Sequence, residues 1–456
     1  MGVKSRLLKN LGREKIVKFD TFTMREKSGD GVLQGAESVN CETEKNGLSC
    51  GVALSTYKTP LGQEVRVEEG LAVKKVFPLY AAEKNGAGLE NLFVLFTRDG
   101  TAYSQRYVDS EGAWTAESRS SSDVACVYAT KPSGEVISVL LSEEGCKYQA
   151  VDGFFSSKSY KTGRAMACYC QNRIFVVTGD KEITYSDPAE PLDATRTEND
   201  GGKILRPLDG DKIVDLVANG GTVYAFYSHN IVKITVTGDP REFVVRSLGF
   251  TGGEIYGGSV VCVGKWIVFL AFDGVYRFDG EKTERICEYL GVKSSVETRK
   301  FGRGRYMDKA LLSYLDESGA LRTVAIDPER KTGYPITPLE GLTECNGRTL
   351  CVIDQKIMVL DEQGANPPSA SYFFKSKEVD FGSAERKTLK TIRLKGSGYI
   401  VLSVWADGKE YAQILNLDTD ERYAPMARGK KFIFKISLSA GAKVENLEAD
   451  VAFLKG

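Results

Sequence analysis

The chain has 456 residues, 42 % hydrophobic and 10 % aromatic, which excludes a disordered protein and leaves room for a large core and more than one domain. Its 61 Lys and Arg balance its 61 Asp and Glu, a poor electrostatic footprint for a protein whose main work is gripping phosphates. With one histidine, His229, the common Ser-His-Asp, Cys-His and His-rich metal constellations are nearly excluded.

The chain starts with scattered basic residues, Lys4, Arg6, Lys9, Arg13, Lys15 and Lys18, read as a solvated segment. No apolar h-region follows Met1, so no secretory signal is expected. Nor does any stretch reach the roughly 18–20 apolar residues of a membrane span. Synthesis and folding in the cytoplasm are therefore expected, with the ten cysteines reduced. Cys126, Cys262 and Cys351 sit among strand residues, where a thiol packs as a small hydrophobe. Cys168-Tyr169-Cys170 would put two thiols on one strand face, but zinc would lack partners there. Helical periodicity is nearly absent; only the first dozen residues and 286–293 offer a turn or two.

Residues 1–75 read as an N-terminal leader. Val32 to Asn40 and Ser49 to Ser55 flank Asn46-Gly47, a hairpin signal. A ring of blades must be closed, often by a strand from one terminus completing the sheet begun by the other, and this leader is the expected source of that strand.

Residues 76–365 carry a repeat. Its clearest copy is Trp266-Ile267-Val268-Phe269-Leu270-Ala271-Phe272, Asp273-Gly274, Val275-Tyr276-Arg277-Phe278, Asp279-Gly280. Asp-Gly supplies the positive φ of a two-residue turn, so the segment reads strand, turn, strand, turn. Comparable hairpins start at Leu92, Val136, Ile174, Val223, Leu311 and Leu350. With Trp266 the successive spacings are 44, 38, 49, 43, 45 and 39 residues. Four-stranded propeller blades repeat every 40–50 residues, roughly. The spacing predicts an all-β chain with a β-propeller of six or seven blades. A meandering β-sandwich, or two stacked ones, would also give many short strands.

Gly364-Ala365-Asn366-Pro367-Pro368 marks a boundary, since two prolines break a strand and stiffen a linker. Beyond it, 376–381, 387–395, 399–406, 411–417 and 430–438 alternate polar and apolar residues more strictly, and a last strand is expected near 447–454. Residues 370–456 are thus expected to form a small antiparallel β-sandwich.

No P-loop or dinucleotide fingerprint appears. Gly302-Arg303-Gly304 is expected in a basic loop with Arg299, Lys300 and Arg305, again a solvated run. His229 precedes Asn230 at a hairpin tip and reads as structural. Asp109-Ser110-Glu111-Gly112-Ala113-Trp114-Thr115 is faintly similar to a sialidase Asp-box, but in the wrong order and only once. Of the three tryptophans, Trp266 begins a core strand and is expected buried, Trp405 sits in an alternating strand, and Trp114 completes the set. No catalytic residue, cofactor-binding residue or metal ligand is nominated, and no enzyme is expected.

Four stretches carry a resemblance. They are Leu33-Gln34-Gly35-Ala36-Glu37-Ser38-Val39-Asn40, Ile183-Thr184-Tyr185-Ser186-Asp187-Pro188, the run from Ala225-Phe226-Tyr227 through Gly257-Gly258-Ser259 to Asp279-Gly280, and Ser376-Lys377-Glu378-Val379-Asp380-Phe381-Gly382 with Arg386-Lys387. Together they resemble the β-propeller virion proteins of tailed bacteriophages, of the tail-nozzle or packaged-DNA-stabilisation type. That resemblance implies a structural protein of the virion, made in the host bacterial cytoplasm. It implies self-association into a ring, contact with other tail or portal-adjacent proteins, and passage of DNA without tight specific binding at genome ejection. Two alternatives of other classes stand beside it. One is a carbohydrate- or receptor-binding propeller; the other is a carboxylate-based glycosidase, which needs two carboxyl groups about 5–10 Å apart in one cleft.

Overall fold

A computed structural model describes residues 11–19, 21–24, 32–44, 47–86, 88–157, 164–193, 202–205, 211–294, 301–345, 347–360, 371–419 and 422–454. The chain divides into two compact units. One comprises Ser55–Thr332 and Pro338–Glu362; the other comprises Met1–Leu54, Gly333–Thr337 and Gln363–Gly456.

The first unit is a seven-bladed β-propeller among the described residues. Each blade is an antiparallel meander, and the seven hairpins expected from the spacing are its two central strands. Blade 1 runs Ala72–Ala81, Leu89–Arg98, Thr101–Val108, with Ala113–Trp114 and Ser118–Arg119 both pairing on the third strand. Blades 2 to 5 begin on Ala125–Thr130, Ala167–Cys170, Ile213–Asn219 and Val261–Val263, and each adds three strands outward. Blade 6 runs Gly302–Tyr306, Lys309–Leu315, Leu321–Asp327, and blade 7 Glu340–Cys345, Arg348–Ile353, Lys356–Leu360. Each blade packs on the next, and the inner strand of blade 7 returns to pack on Ala72–Ala81 of blade 1.

The ring is closed by backbone pairing from upstream of blade 1. Tyr57 N donates to Ile357 O (2.8 Å), Val67 N to Gln355 O (2.9 Å), and Ile357 N to Val65 O (3.3 Å). The expected closing strand is therefore present, at the C-terminal end of the leader.

Blade packing explains why the central strands are apolar runs rather than alternations. Both faces of a blade are covered by neighbours, so Arg173–Val177 and Gly274–Phe278 are buried at every position. The core is accordingly divided among the interfaces between blades. Between blades 4 and 5, Phe269 is fully buried and meets Phe226 at 5.3 Å, Phe250 at 5.6 Å and Tyr276 at 5.6 Å between ring centroids.

The second unit is a two-sheet β-sandwich. One sheet contains Leu11–Phe19, Cys41–Glu44, Gly47–Cys50, Lys387–Ser397, Arg422–Tyr423, Ala427–Gly429 and Lys443–Leu454. The other runs in the order Thr21–Thr23, Val32–Val39, Tyr372–Ser376, Phe432–Leu438, Tyr399–Ala406, Lys409–Asn416. Phe19, Phe22, Leu33, Phe374, Leu402, Phe434, Leu394 and Val451 share its core.

Several expectations are corrected. Residues 11–50 of the 1–75 leader do not serve the propeller: Leu11–Phe19 pairs antiparallel with Lys443–Leu454, and Val32–Val39 with Tyr372–Ser376. The sandwich is therefore not confined to 370–456 but is built from both flanks of the propeller segment. The strand expected at 376–381 lies earlier, at Tyr372–Ser376, with only Val379 bridging Phe432. Gly302-Arg303-Gly304 is a strand, not a loop. The helical expectation reduces to the 3-10 turn Glu288–Leu290, while the boundary at 364–368 and the basic residues 299 and 300 lie outside the described residues.

Gly333–Thr337 is held to the sandwich by Asn40, which is buried in the left-handed region at φ 53°. Asn40 Nδ2 donates to Thr337 Oγ1 and Ser371 O, both at 2.8 Å, and its Oδ1 accepts from Thr337 N at 2.6 Å.

Phe269→Ala opens a cavity among three rings, and a fully buried phenylalanine costs about 3–5 kcal/mol on truncation. Urea unfolding of the variant is expected to show a loss of that size; a loss below about 1 kcal/mol would mean that the blade 4–5 interface is not tightly packed.

Candidate functional site: the mouth of the propeller channel

The inner strands of the blades start around one cavity of about 280 Å3 on the propeller axis. Its wall takes Lys75 from blade 1, Asp123 and Cys126 from blade 2, Arg164 from blade 3, and Lys212 and Asp215 from blade 4. Gly257 and Gly258 lead into blade 5, while Arg303 and Glu344 come from blades 6 and 7. Gly257 is dictated by crowding, since a Cβ there would stand 2.3 Å from Val214 O.

Two of the ion pairs join different blades, and the third, Arg164–Asp180, lies within blade 3. Asp215, whose side chain is 3 % exposed, takes Arg303 Nη1 at 2.7 Å. Its Oδ2 also accepts Gly258 N at 2.9 Å, and its Oδ1 accepts Leu216 N at 2.8 Å. Arg303 Nη1 also donates to Val260 O at 2.9 Å. Burial alone would pull the Arg303 guanidinium down, but the Asp215 charge outweighs it and holds the group above its ordinary range. Lys75 pairs with Asp123 at 2.5 Å and donates to Val124 O at 2.9 Å. Arg164 pairs with Asp180 and donates to Ile213 O at 2.9 Å. Arg303, expected in solvated chain, is thus half-buried and cross-links blades 4, 5 and 6.

Four inner strands also bring thiols to this end of the channel. Cys345 Sγ lies 3.8 Å from Cys126 O and Cys262 Sγ 3.6 Å from Ala218 O, while Cys168 is buried between blades 3 and 4. Burial, reinforced by Glu344, pushes the Cys262 thiol up to about 12; burial alone takes Cys146 to about 12 and Cys170 to about 11. Its hydrogen bond with Cys126, then burial, raises Cys345, and burial followed by the neighbouring Cys170 raises Cys168. These thiols stay protonated at neutral pH and are poor nucleophiles.

Chemically, the cavity presents carboxylates that already have partners. Asp123 and Asp215 face cations, and Glu344 Oε1 accepts Gly347 N at 2.7 Å. The volume falls just below the usual range of small-molecule pockets, about 300–1,000 Å3. A wider concavity of about 450 Å3 lies beside it between blades 6, 7 and 1, where Val73, Leu315, Leu321, Leu339 and Phe301 meet Lys74 and Glu340.

The remaining residues singled out from the sequence lie elsewhere. His229 is exposed at its hairpin tip, its backbone N on Asp211 Oδ2 at 3.2 Å. Cys168 and Cys170 share one buried face of their strand. Asp109–Glu111 forms a 3-10 turn closed by left-handed Gly112. Trp266 is half-buried rather than buried: Arg277 stacks 4.0 Å from its ring, and its Nε1 donates to Glu329 Oε2 at 2.6 Å. Sequence reasoning missed the Asp215–Arg303 pair because its members stand 88 positions apart.

No family model matches the chain, and no curated protein matches it. Solved structures similar to it include a catalytically inactive virginiamycin B lyase from Staphylococcus aureus with quinupristin, at 11 % identity and a TM-score of 0.39, covering 65 % of this chain and 97 % of that one. A fungal alcohol oxidase in complex with copper is similar at 11 % identity and a TM-score of 0.42, covering 83 % and 92 %. The Neurospora crassa Pan2 WD40 domain is similar at 10 % identity and a TM-score of 0.36, covering 70 % and 97 %.

Two outcomes follow for this site. Asp215→Asn strands a half-buried guanidinium; a fully buried pair would cost about 3–5 kcal/mol, and Arg303, 30 % exposed, brings the expected loss to about 2–3 kcal/mol by urea unfolding. The Asp215→Ala/Arg303→Ala double variant is expected to lose less than the sum of its singles, and strict additivity would refute the coupling. The raised thiols set the second. An unfolded thiol ionises near 9.0 whereas Cys262 holds its proton to about 12, so the unfolded state sheds protons first and stability falls as pH rises from 9 towards 12. Under reducing conditions Cys262→Ala is expected to lose less stability between pH 8 and pH 10.5 than the parent; equal losses would show that this thiol does not contribute.

Proposed function

We propose that this chain is a structural protein of a tailed-phage virion, part of the tail nozzle or head–tail conduit. It works by assembly with further copies and with other tail or portal-adjacent proteins, not by catalysis. The conduit is enclosed by several subunits rather than bored through one propeller, whose own mouth is lined by cross-blade ion pairs. DNA passes the assembly without tight specific binding, a reading supported by the balanced charge of the chain.

The observation that carries this reading is a sheet edge that no strand covers among the described residues. Lys409–Asn416 ends its sheet, and Ile414 on it is 71 % exposed beside its cross-strand partner Val401 and the exposed Tyr399. Proteins that stay monomeric blunt such edges with charge, proline or bulges; here Lys409 and Glu410 charge only the first two positions, and unpaired backbone groups next to the apolar Ile414 invite another strand. Here that partner is a second copy of the chain. The residue resemblance in the leader, the central repeats and 376–387 points the same way.

Light scattering with negative-stain imaging tests it. The parent protein is expected as a ring or higher oligomer at micromolar concentration, and Ile414→Glu is expected to shift it to monomer without lowering its melting temperature by more than a few degrees. A monodisperse parent monomer that also ignores the products of adjacent genes would overturn the proposal.

A further inference from the structure

The outward face of the same sandwich sheet holds a second feature, independent of the assembly reading. Along Tyr399–Ala406, Val404 and Ala406 point into the core, so strand alternation sends Trp405 outward. Its cross-strand neighbours are Ile433 on one side and Glu410 on the other. Trp405 and Ile433 floor a concavity of about 420 Å3, rimmed by Lys375, Glu378, Asp407, Gly408 and Lys431. That size suits a small molecule.

The rim is held in part by a tight turn. Asp407 and Gly408 adopt φ 49° and 85° and join the two strands, which fixes the Asp407 carboxylate at the edge of the floor. A Cβ on Gly408 would meet nothing within 4 Å, so the space above the turn is open. Asp407 Oδ1 accepts Lys430 N at 3.0 Å, and that bond, with help from Arg386, keeps the carboxyl ionised as an acceptor. Lys431 and Glu378 pair at 2.5 Å, but both are more than half exposed, so the pair is worth little and its groups can be shared with a ligand. The Lys375 ammonium stands 5.8 Å from the centre of the Trp405 ring. Among the described residues, no acceptor meets the Trp405 indole N–H.

We infer that this concavity is a saccharide-binding subsite, with Trp405 as the platform and Asp407, Glu378, Lys375 and Lys431 as hydrogen-bonding partners. Three features select that chemistry. The π-face of indole is electron-rich and attracts the weakly positive C–H face of a sugar ring. Two carboxylates and two ammonium groups supply acceptors and donors for hydroxyls. They also cancel in charge, which disfavours a strongly anionic or cationic ligand and favours a neutral polyhydroxylated one. A single ring does not make an aromatic cage for a quaternary ammonium group.

The test titrates the full chain with cellotriose, maltotriose and the N-acetylglucosamine trimer, followed by tryptophan fluorescence and by saturation-transfer NMR. At least one trisaccharide is expected to bind with a millimolar or tighter dissociation constant. Trp405→Ala is expected to weaken it tenfold or more, and Trp405→Phe by less, because a smaller platform remains. Asp407→Asn should weaken it while Trp114→Phe leaves it unchanged. Unchanged circular dichroism and melting of Trp405→Ala separate lost binding from lost folding. The inference is overturned if none of the three sugars nor a neutral-glycan array binds, if Trp405→Ala binds as the parent does, or if choline competes for the site more strongly than any sugar. Because assembly is read from mass and this site from titration, either can fail without the other.

Discussion

The propeller depends on one closure. Backbone of residues 57–67 pairs with Lys356–Leu360, so the seventh blade is completed by chain that precedes the first. Without it, blade 7 would present a bare edge and the wedge between blades 7 and 1 would open to water. Tyr57, Val65 and Val67 enter the same core as Val76, Phe96, Leu350 and Ile357, so closing the ladder and burying that interface are one event. The closure joins positions about 300 residues apart, which places much of the loop entropy of folding in this contact.

The sandwich obeys a similar constraint. Leu11–Phe19 lies on Lys443–Leu454, and Val32–Val39 on Tyr372–Ser376, so neither flank of the propeller segment builds both sheets alone. Asn40 adds a third piece of chain by tying Thr337 and Ser371 through its amide. The left-handed backbone at Asn40 suits asparagine, which tolerates that region better than most side chains. The two units thus share a logic in which distant segments of chain must be present before a core is complete.

Around the channel, charge is used to join blades. Asp215 gathers the Arg303 guanidinium and the backbone N–H groups of Leu216 and Gly258, so its desolvation is offset by bonds to the charged form. The thiols nearby fill space without charge. Chemical opportunity is consequently greater on the sandwich, where Trp405, Asp407 and Lys431 remain accessible, than inside the propeller.

The local pattern by itself determined the all-β class, the seven hairpins and their spacing, because a turn such as Asp273-Gly274 and the apolar run before it are set by neighbours a few residues apart. It also placed the closing strand within the leader. Tertiary structure alone decided which sheet each leader strand joins, since alternation states that a strand has two faces and is silent about its hydrogen-bonding partner. It alone turned Arg303 from a surface cation into a cross-blade partner of Asp215, and left Trp405 on a solvent-facing floor beside Asp407 while Trp266 was covered by Arg277. In each case the deciding neighbours come from remote positions, brought together only when the ring and the sandwich close.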